Sequence, residues 1–95
     1  MLFQNPHYLT RGVDAEIPLE LQVFMWECVN NLPEERDYLQ VFELEPMGEM
    51  QRISHTSEQP EHHMEYIIPT EKPITAKLYV IDSIEYSTML LAEEY

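Results

Sequence analysis

The chain has 95 residues and a mass of 11.3 kDa, and its 18 acidic residues against 5 basic ones leave a formal charge of −13. This length predicts a single domain over residues 1–95. The charge excludes direct binding to nucleic acid or to an anionic membrane, because both need Lys and Arg to replace counterions. With 44% hydrophobic and 11% aromatic residues, the chain has enough apolar surface for a core, which excludes a disordered acidic tail.

Cysteine content and hydropathy indicate a cytoplasmic protein. The only cysteine is Cys28, which excludes a secreted scaffold held by disulfides within the chain. No run of about 18 apolar residues is present to predict a membrane span. Residues 1–6 lack the basic and apolar regions of a signal peptide, so we expect no export signal there.

The N-terminal third predicts a short strand followed by the main helix. Residues 8–11 are β-forming and end at Gly12, and residues 14–16 indicate a turn into the helix. The helix is predicted over about residues 18–31, because it opens with a proline and its apolar residues recur with helical spacing. Pro33 ends it, since the residue before a proline is disfavoured in the α region.

This predicted helix has a wide apolar arc and a narrow acidic stripe. Glu16, Glu20 and Glu27 fall in the stripe, whereas Trp26 widens an apolar arc that also contains Gln22. A helix that lies on one sheet needs less apolar surface than this arc provides. We expect packing within the monomer to cover most of it, with the N-terminal segment, a second subunit or a partner as candidates for the surplus.

The rest of the chain predicts strands joined by short turns. The predicted strands are residues 38–44, 50–55, 64–68, 74–81 and 86–92. Residues 45–49 predict a tight turn, and the polar residues 56–63 predict a loop. The last strand is apolar on both sides, which is typical of a central strand. The predicted class is α+β, a mostly antiparallel sheet of five to six strands with one main helix (about 18–31) packed on one face.

Three histidines lie in or beside the predicted polar loop and raise the question of a metal site. His55, His62 and His63 are close in sequence to Glu58 and Glu61, and imidazoles and carboxylates bind transition metals. The spacing matches no metal-binding motif, and His62 and His63 would point to opposite sides of an extended segment. We therefore interpret the residues as a solvated polar loop and predict no metal and no cofactor.

No catalytic residue is predicted, and we expect the protein not to be an enzyme. Cys28 falls on the apolar side of the predicted helix, and its acidic neighbours would raise the pKa of the thiol, so it is interpreted as a packing residue. The sequence has no phosphate-binding glycine loop and no nucleophile elbow.

The acidic charge is concentrated in the middle third of the chain. Residues 34–65 carry −7, and each of the other thirds carries −3. Glu43 and Glu45 share one face of a predicted strand, and Tyr79 lies opposite the apolar face of another. Many acidic side chains serve only to keep a protein soluble. The functional alternative is that these side chains form a surface complementary to a basic protein. The candidate interaction residues are Glu16, Glu20, Glu27, Trp26, Glu43, Glu45 and Tyr79.

Five blocks of the sequence resemble a known family. The blocks are residues 7–13, 17–22, 37–44, 73–77 and 87–95. They are similar to short uncharacterised proteins from Firmicute bacteria and their mobile elements, catalogued as domain of unknown function family 960. The resemblance spans nearly the whole chain. It implies a cytoplasmic bacterial or phage-related protein and supplies no catalytic residue.

Together these features predict a non-enzymatic module that binds another protein, one with a basic surface. The alternative is a nucleic-acid mimic that inhibits a DNA- or RNA-handling enzyme, as the charge and the mobile-element setting of the family suggest. A small metal protein or enzyme that uses the three histidines ranks third. A homodimer formed through the helix is compatible with each of these functions.

Overall fold

The computed structural model describes residues 6–33 and 36–95. Residues 1–5, 34 and 35 lie outside the described residues, including Glu34 and Glu35 of the acidic middle third and most of the segment that was compared with a signal peptide. The elements in chain order are β1 (His7–Leu9), α1 (Arg11–Glu16), α2 (Leu19–Asn30), β2 (Leu39–Met47), β3 (Met50–Glu58), β4 (Glu61–Pro69), β5 (Ala76–Asp82), β6 (Ser87–Leu91) and a 3-10 turn at Ala92–Glu94.

The six strands form one sheet in the order β1-β6-β5-β2-β3-β4. Every neighbouring pair is antiparallel except β1 and β6, which are parallel. This confirms the predicted α+β class and the mostly antiparallel sheet. Among the described residues, no helix combines the length and the apolar character needed to cross a membrane.

The core lies between the helices and one face of the sheet. Its buried hydrophobic side chains are Val13, Ile17, Leu21, Met25, Val29, Phe42, Leu44, Ile53, Leu78, Val80, Met89 and Leu91. The first five belong to the helices and their junction, and the other seven come from four neighbouring strands. In both groups the spacing follows from the period of the element, about 3.6 residues in a helix and two in a strand.

The N-terminal segment covers the surplus apolar surface of α2 at Trp26. The His7 ring stacks on Trp26, with ring centroids 4.0 Å apart and planes within 2° of parallel. Gln22, which interrupts the apolar arc, is buried, and its Nε2 donates to the carbonyl of Ile17 at 2.7 Å, which ties α2 to the end of α1. Leu19 and Val23 stay 73% and 48% exposed, so part of the apolar arc of the helix remains open.

The predicted strand at 8–11 was wrong in its bounds, and the predicted turn at 14–16 was wrong in its type. The strand ends at Leu9, because the Thr10 side chain accepts a hydrogen bond from the Val13 backbone N–H and thereby caps the start of α1. The residues predicted as a turn belong to α1. This helix was not predicted because it has only 6 residues, too few for a periodic pattern.

Gly12 lies where the C-terminal turn crosses α1, and its replacement by alanine is expected to destabilise the fold. A Cβ at this position would be 2.7 Å from Leu91 Cδ1 and 2.8 Å from Glu94 Oε2. Glu94 also accepts a hydrogen bond from the Gly12 N–H at 3.3 Å, and it is positioned by another from the Leu91 N–H at 2.9 Å. The two atoms end flexible side chains and alanine is the better helix former, but the shift would disturb the hydrogen bonds of Glu94, so we expect Gly12→Ala to lower the free energy of unfolding by about 0.5–1 kcal/mol in urea denaturation. The exposed neighbour substitution Arg11→Ala should change it by less than about 0.5 kcal/mol. Equal stability of Gly12→Ala and the wild type would contradict this contact.

The predicted loop at 56–63 was also wrong. Strand β3 continues to Glu58 and strand β4 begins at Glu61, so the segment is a hairpin with a two-residue turn that ends at Pro60. Asp37 holds this turn, because its Oδ2 accepts hydrogen bonds from the N–H groups of the two residues before the proline, at 3.3 and 3.1 Å. The prediction failed because the inward-facing residues of this hairpin are polar, which concealed the alternation of a strand.

The predicted strand 74–81 begins two residues later than expected. Ile74 is not in the ladder, because its N–H donates to Gln51 Oε1 at 2.8 Å and its carbonyl accepts from Gln51 Nε2 at 3.0 Å. Gln51 is fully buried, and its amide replaces the hydrogen bonds that a neighbouring strand would give. Strand β5 therefore starts at Ala76.

The first hairpin turn is tighter than predicted. Instead of a turn over residues 45–49, β2 continues to Met47 and pairs it with Met50. The turn consists of Gly48 and Glu49, and Gly48 has a φ of 62°, in the left-handed region that favours glycine.

Candidate functional site

The first candidate surface is the side of the sheet that points away from the helices, which we call the open face. Residues paired in register share a face, so the strand pairing determines which side chains it carries. They include Tyr8, Leu39, Val41, Glu43, Glu45, Arg52, Ser54, Thr56, Glu58, Glu61, His63, Glu65, Ile67, Lys77, Tyr79, Ile81, Thr88 and Leu90. The face divides into an apolar half across β1, β6, β5 and the start of β2, and a charged half across the rest of β2, β3 and β4.

Four tyrosines mark the apolar half. Tyr79 meets Tyr95 edge to face, with ring centroids 5.3 Å apart, and Tyr8 meets Tyr86 in the same way at 5.7 Å. Tyr8 is 55% exposed and Tyr95 is 76% exposed. Tyrosines combine a large apolar ring with a hydrogen-bonding hydroxyl, a combination that is enriched at protein interfaces.

The charged half holds Glu43 and Glu45 on one face of β2, where the strand period placed them. Each of these carboxylates has a cation beside it. Lys77 Nζ lies 3.9 Å from Glu43 Oε1, and Arg52 forms ion pairs with both Glu45 and Glu65. The sequence predicted only that the two glutamates share a strand face, because the cross-strand partners depend on a register that the sequence pattern does not supply.

Two shallow depressions lie along the open face. One, of about 370 Å³, is bounded by Glu43, Arg52 and Lys77 in the charged half. The other, of about 510 Å³, is bounded by Tyr38 and Val41 near the turn between β3 and β4. Both are open to solvent and are suited to side chains of a partner rather than to an enclosed small molecule.

The other four candidate interaction residues lie on the helical side of the molecule. Glu16 is in α1, whereas Glu20 and Glu27 are in α2, so the predicted acidic line is divided between two helices. Glu20 accepts a hydrogen bond from the Thr70 hydroxyl at 2.8 Å. Trp26 is half-buried against the core. The structure therefore gathers three of the seven candidates on the open face and does not bring the other four to it.

The histidines lie in strands rather than in a loop. His62 and His63 are adjacent in β4 and point to opposite sides, as predicted for an extended segment. His63 lies on the open face, with Nε2 3.5 Å from Glu65 Oε2. His55 is in β3 and faces the helices, with its ring centroid 4.7 Å from that of His62. Within the part of the chain that the structure describes, no three His, Cys, Asp or Glu side chains are grouped to hold a metal ion.

His55 belongs to a buried hydrogen-bonded chain. Its Nε2 donates to Gln40 Oε1 at 2.7 Å, while Gln40 Nε2 donates to the carbonyl of Asp37 at 2.8 Å and orients the amide. The imidazole stacks on Phe42, with centroids 4.3 Å apart. Burial lowers the pKa of His55 to about 4, with a smaller contribution from His62. The ring is therefore neutral at physiological pH and serves as a core residue.

Cys28 is half-buried on α2, and its side chain is hydrogen-bonded to a residue of a neighbouring strand. Burial raises the pKa of its thiol, and the side chain is hydrogen-bonded to Tyr66 of β4. A raised pKa leaves less thiolate, the form that reacts with electrophiles and metals. These features support the interpretation of Cys28 as a packing residue.

A groove between the edge strand β4 and α2 was not predicted from the sequence. It has a volume of about 370 Å³ and is lined by His62, Met64 and Tyr66 of β4 and by Phe24 and Cys28 of α2, among others. The lining residues of β4 alternate along the strand. This pattern was concealed because residues 56–63 were predicted as a loop, which divided β4 in two.

Comparisons with known proteins agree with this fold. A solved structure described as the protein of unknown function from Enterococcus faecalis superimposes with a TM-score of 0.86 at 18% identity, covering 100% of this chain and 96% of that chain. At this identity the likeness concerns the fold alone. No curated protein matches the sequence significantly. The family model described as staphylococcal protein of unknown function (DUF960) matches residues 6–94. Because this match covers nearly the whole sequence, the chain belongs to the DUF960 family.

Proposed function

We propose that the protein is a cytoplasmic, non-enzymatic interaction module that binds another protein through the open face. The observation that carries the proposal is the apolar half of this face, where Tyr8, Tyr79, Tyr86 and Tyr95 lie without a covering helix among the described residues. An antiparallel sheet with one solvated face normally places polar side chains there. Clustered aromatic rings with a polar rim are instead typical of an interaction site.

The charge of the molecule supports a basic partner. A net charge of −13 attracts a positively charged surface over distances of about one Debye length, roughly 8–10 Å at physiological ionic strength. Such steering raises the rate of association more than it raises affinity. The tyrosines would then supply the short-range contact, and the acidic surface would select a basic protein.

Nucleic-acid mimicry is the second candidate, because the same charge motivates it. A mimic needs rows of free carboxylates in place of phosphates. On the open face, Glu43, Glu45 and Glu65 lie beside Lys77 and Arg52, so much of their charge is balanced locally. We therefore rank a mimic below an interaction module. A complex with a nuclease that survives roughly 1 M salt would count further against mimicry, because screening is then nearly complete.

Removal of one tyrosine from each pair tests the proposal. The tagged wild type, the double variant Tyr8→Ala/Tyr79→Ala and the matched helix-side variant Leu19→Ala/Val23→Ala are used to capture proteins from a staphylococcal cytosolic extract at low salt. We expect the open-face variant to recover the bound protein at least about tenfold less, because it loses aromatic contact area at the centre of the interface. The helix-side variant, which also removes exposed apolar area, should recover as much as the wild type.

Circular dichroism of each variant before capture shows whether it is folded. Equal recovery by the wild type and the open-face variant would contradict the proposal. Loss of recovery with the helix-side variant alone would place the interaction, or a dimer, on α2.

A further inference from the structure

Strand β4 is the last strand at one edge of the sheet. It has 9 residues, pairs with β3 on one side, and has no strand beside its other edge among the described residues. The pairing with β3 runs without a bulge from Met50 opposite Pro69 to Glu58 opposite Glu61. Proteins commonly protect such edges with bulges, lysines or an interior proline, and β4 has none of these. Its edge can therefore accept the backbone of another extended chain.

The groove between β4 and α2 lies beside this edge. The alternate residues His62, Met64 and Tyr66 form its strand side, and Phe24 and Leu32 contribute to its helix side. Phe24 of the helix side and Tyr66 of the strand side meet edge to face, with ring centroids 5.2 Å apart. Met64 is 46% exposed in the groove. A strand added to β4 would place every second side chain into this largely apolar space.

The charge around the groove indicates what it receives. Exposed carboxylates border it, with Glu27 on the helix side and Glu61 on the opposite face of β4. Glu65 lies on that same face, where Arg52 already pairs with it. A side chain of an added strand that points away from the groove near the start of β4 would lie beside Glu61.

The geometry points to β4 and α2 as a docking groove for an extended segment of a partner protein in which apolar and basic residues alternate. Backbone hydrogen bonds to β4 would hold the segment, apolar side chains would fill the groove, and Lys or Arg would face Glu61 and the net negative charge around it. The same carboxylates disfavour a second copy of this chain, whose net charge is −13. This inference rests on the proposed function and adds a second contact with a defined chemistry.

A defined peptide tests the groove without the natural partner. The probe is a capped nine-residue peptide in which Lys and Val alternate, titrated into the full chain at low salt while backbone amide shifts are followed by NMR. We expect saturable shifts at residues 61–69 and 24–32, and slower amide exchange along β4. A peptide with Glu in place of Lys, and one with the same composition but all Lys before all Val, should not produce these changes, because the first loses charge complementarity and the second loses the alternation.

Two matched methionine variants distinguish the groove from other acidic surfaces. Met64→Lys places a cation in the groove and should weaken binding of the Lys-Val peptide at least about tenfold. Met47→Lys, at a methionine of similar exposure at the far end of β2, should leave it unchanged.

Three results would overturn the inference. They are shifts confined to the open face, equal binding of the Glu-Val peptide, and no saturation up to roughly 1 mM peptide. Shifts around Tyr79 without shifts in β4 would reject the groove and leave the proposed function intact. Failure of the proposed function would instead appear as unchanged capture by the Tyr8→Ala/Tyr79→Ala variant.

Discussion

Acidification from pH 6.5 to pH 4 is expected to remove about 3 kcal/mol of folding stability through His55 alone. The ordinary pKa of 6.5 applies to the unfolded chain, and burial lowers the pKa to about 4 in the folded protein. Between these values the unfolded state binds a proton that the folded state excludes. The stabilising contribution is therefore complete above pH 6.5, is lost as the pH falls toward 4, and does not change further below that.

The His55→Gln variant isolates this effect from the other titrating groups. Glutamine can retain the donor to Gln40 Oε1 but cannot be protonated, so between pH 6.5 and pH 4 the variant should lose about 3 kcal/mol less stability than the wild type. His63→Gln, at an exposed histidine, should follow the wild type. The measurement is urea denaturation at a series of pH values. If His55→Gln and the wild type lose stability in parallel, His55 is not the group responsible.

Truncation of Phe42 is expected to destabilise the fold more than Gly12→Ala or any change on the open face. Phe42 is fully buried in β2, paired with His55 on one side and Leu78 on the other, and its ring stacks on the imidazole. Phe42→Ala should lower the free energy of unfolding by about 3–5 kcal/mol, because it removes apolar contact and leaves a cavity between sheet and helix.

A graded series in urea separates this packing effect from a general sensitivity to mutation. Phe42→Leu keeps most of the volume and should cost less than about 2 kcal/mol. Phe24→Ala removes the same side chain from a half-buried site at the groove and should cost clearly less than Phe42→Ala. Equal losses for Phe42→Ala and Phe24→Ala would contradict the assignment of the core to the centre of the sheet.

Alternation and helical spacing predict the elements whose buried residues are apolar. The α2 helix and the strands β2, β5 and β6 were anticipated because Leu21, Met25, Phe42 and Leu78 repeat with the period of their element. The prediction that the last strand is central and covered on both faces at its end is confirmed, since β6 lies between β1 and β5 and both Leu90 and Leu91 are buried.

The middle of the β3–β4 hairpin was missed because its inward residues are polar. Ser57 and His62 are the inward-facing pair within residues 56–63, and Ser57 is buried. Composition alone assigns such residues to a loop, because nothing local shows that partners exist. The β3–β4 hairpin was divided for this reason, and the groove beside β4 was hidden with it.

Only those features of the candidate site that lie within a single strand could be predicted from the sequence. The strand period placed Tyr79 opposite an apolar face and Glu43 beside Glu45 on one face. The ion pairs with Arg52 and Lys77 require the register between strands, which is determined by the whole sheet. The separation of Glu16 from Glu20 required the short helix α1, whose cap at Thr10 was not recognised.

Hydroxyl-radical footprinting of the complex with the captured partner tests the role of the open face most directly, because it reports on side chains rather than on the backbone. We predict that labelling of Tyr8, Tyr86 and Tyr95 falls strongly on binding, while labelling of Leu19 and Val23 on α2 stays as in the free protein. Protection confined to α2, with the tyrosines of the open face labelled as before, would contradict binding through that face.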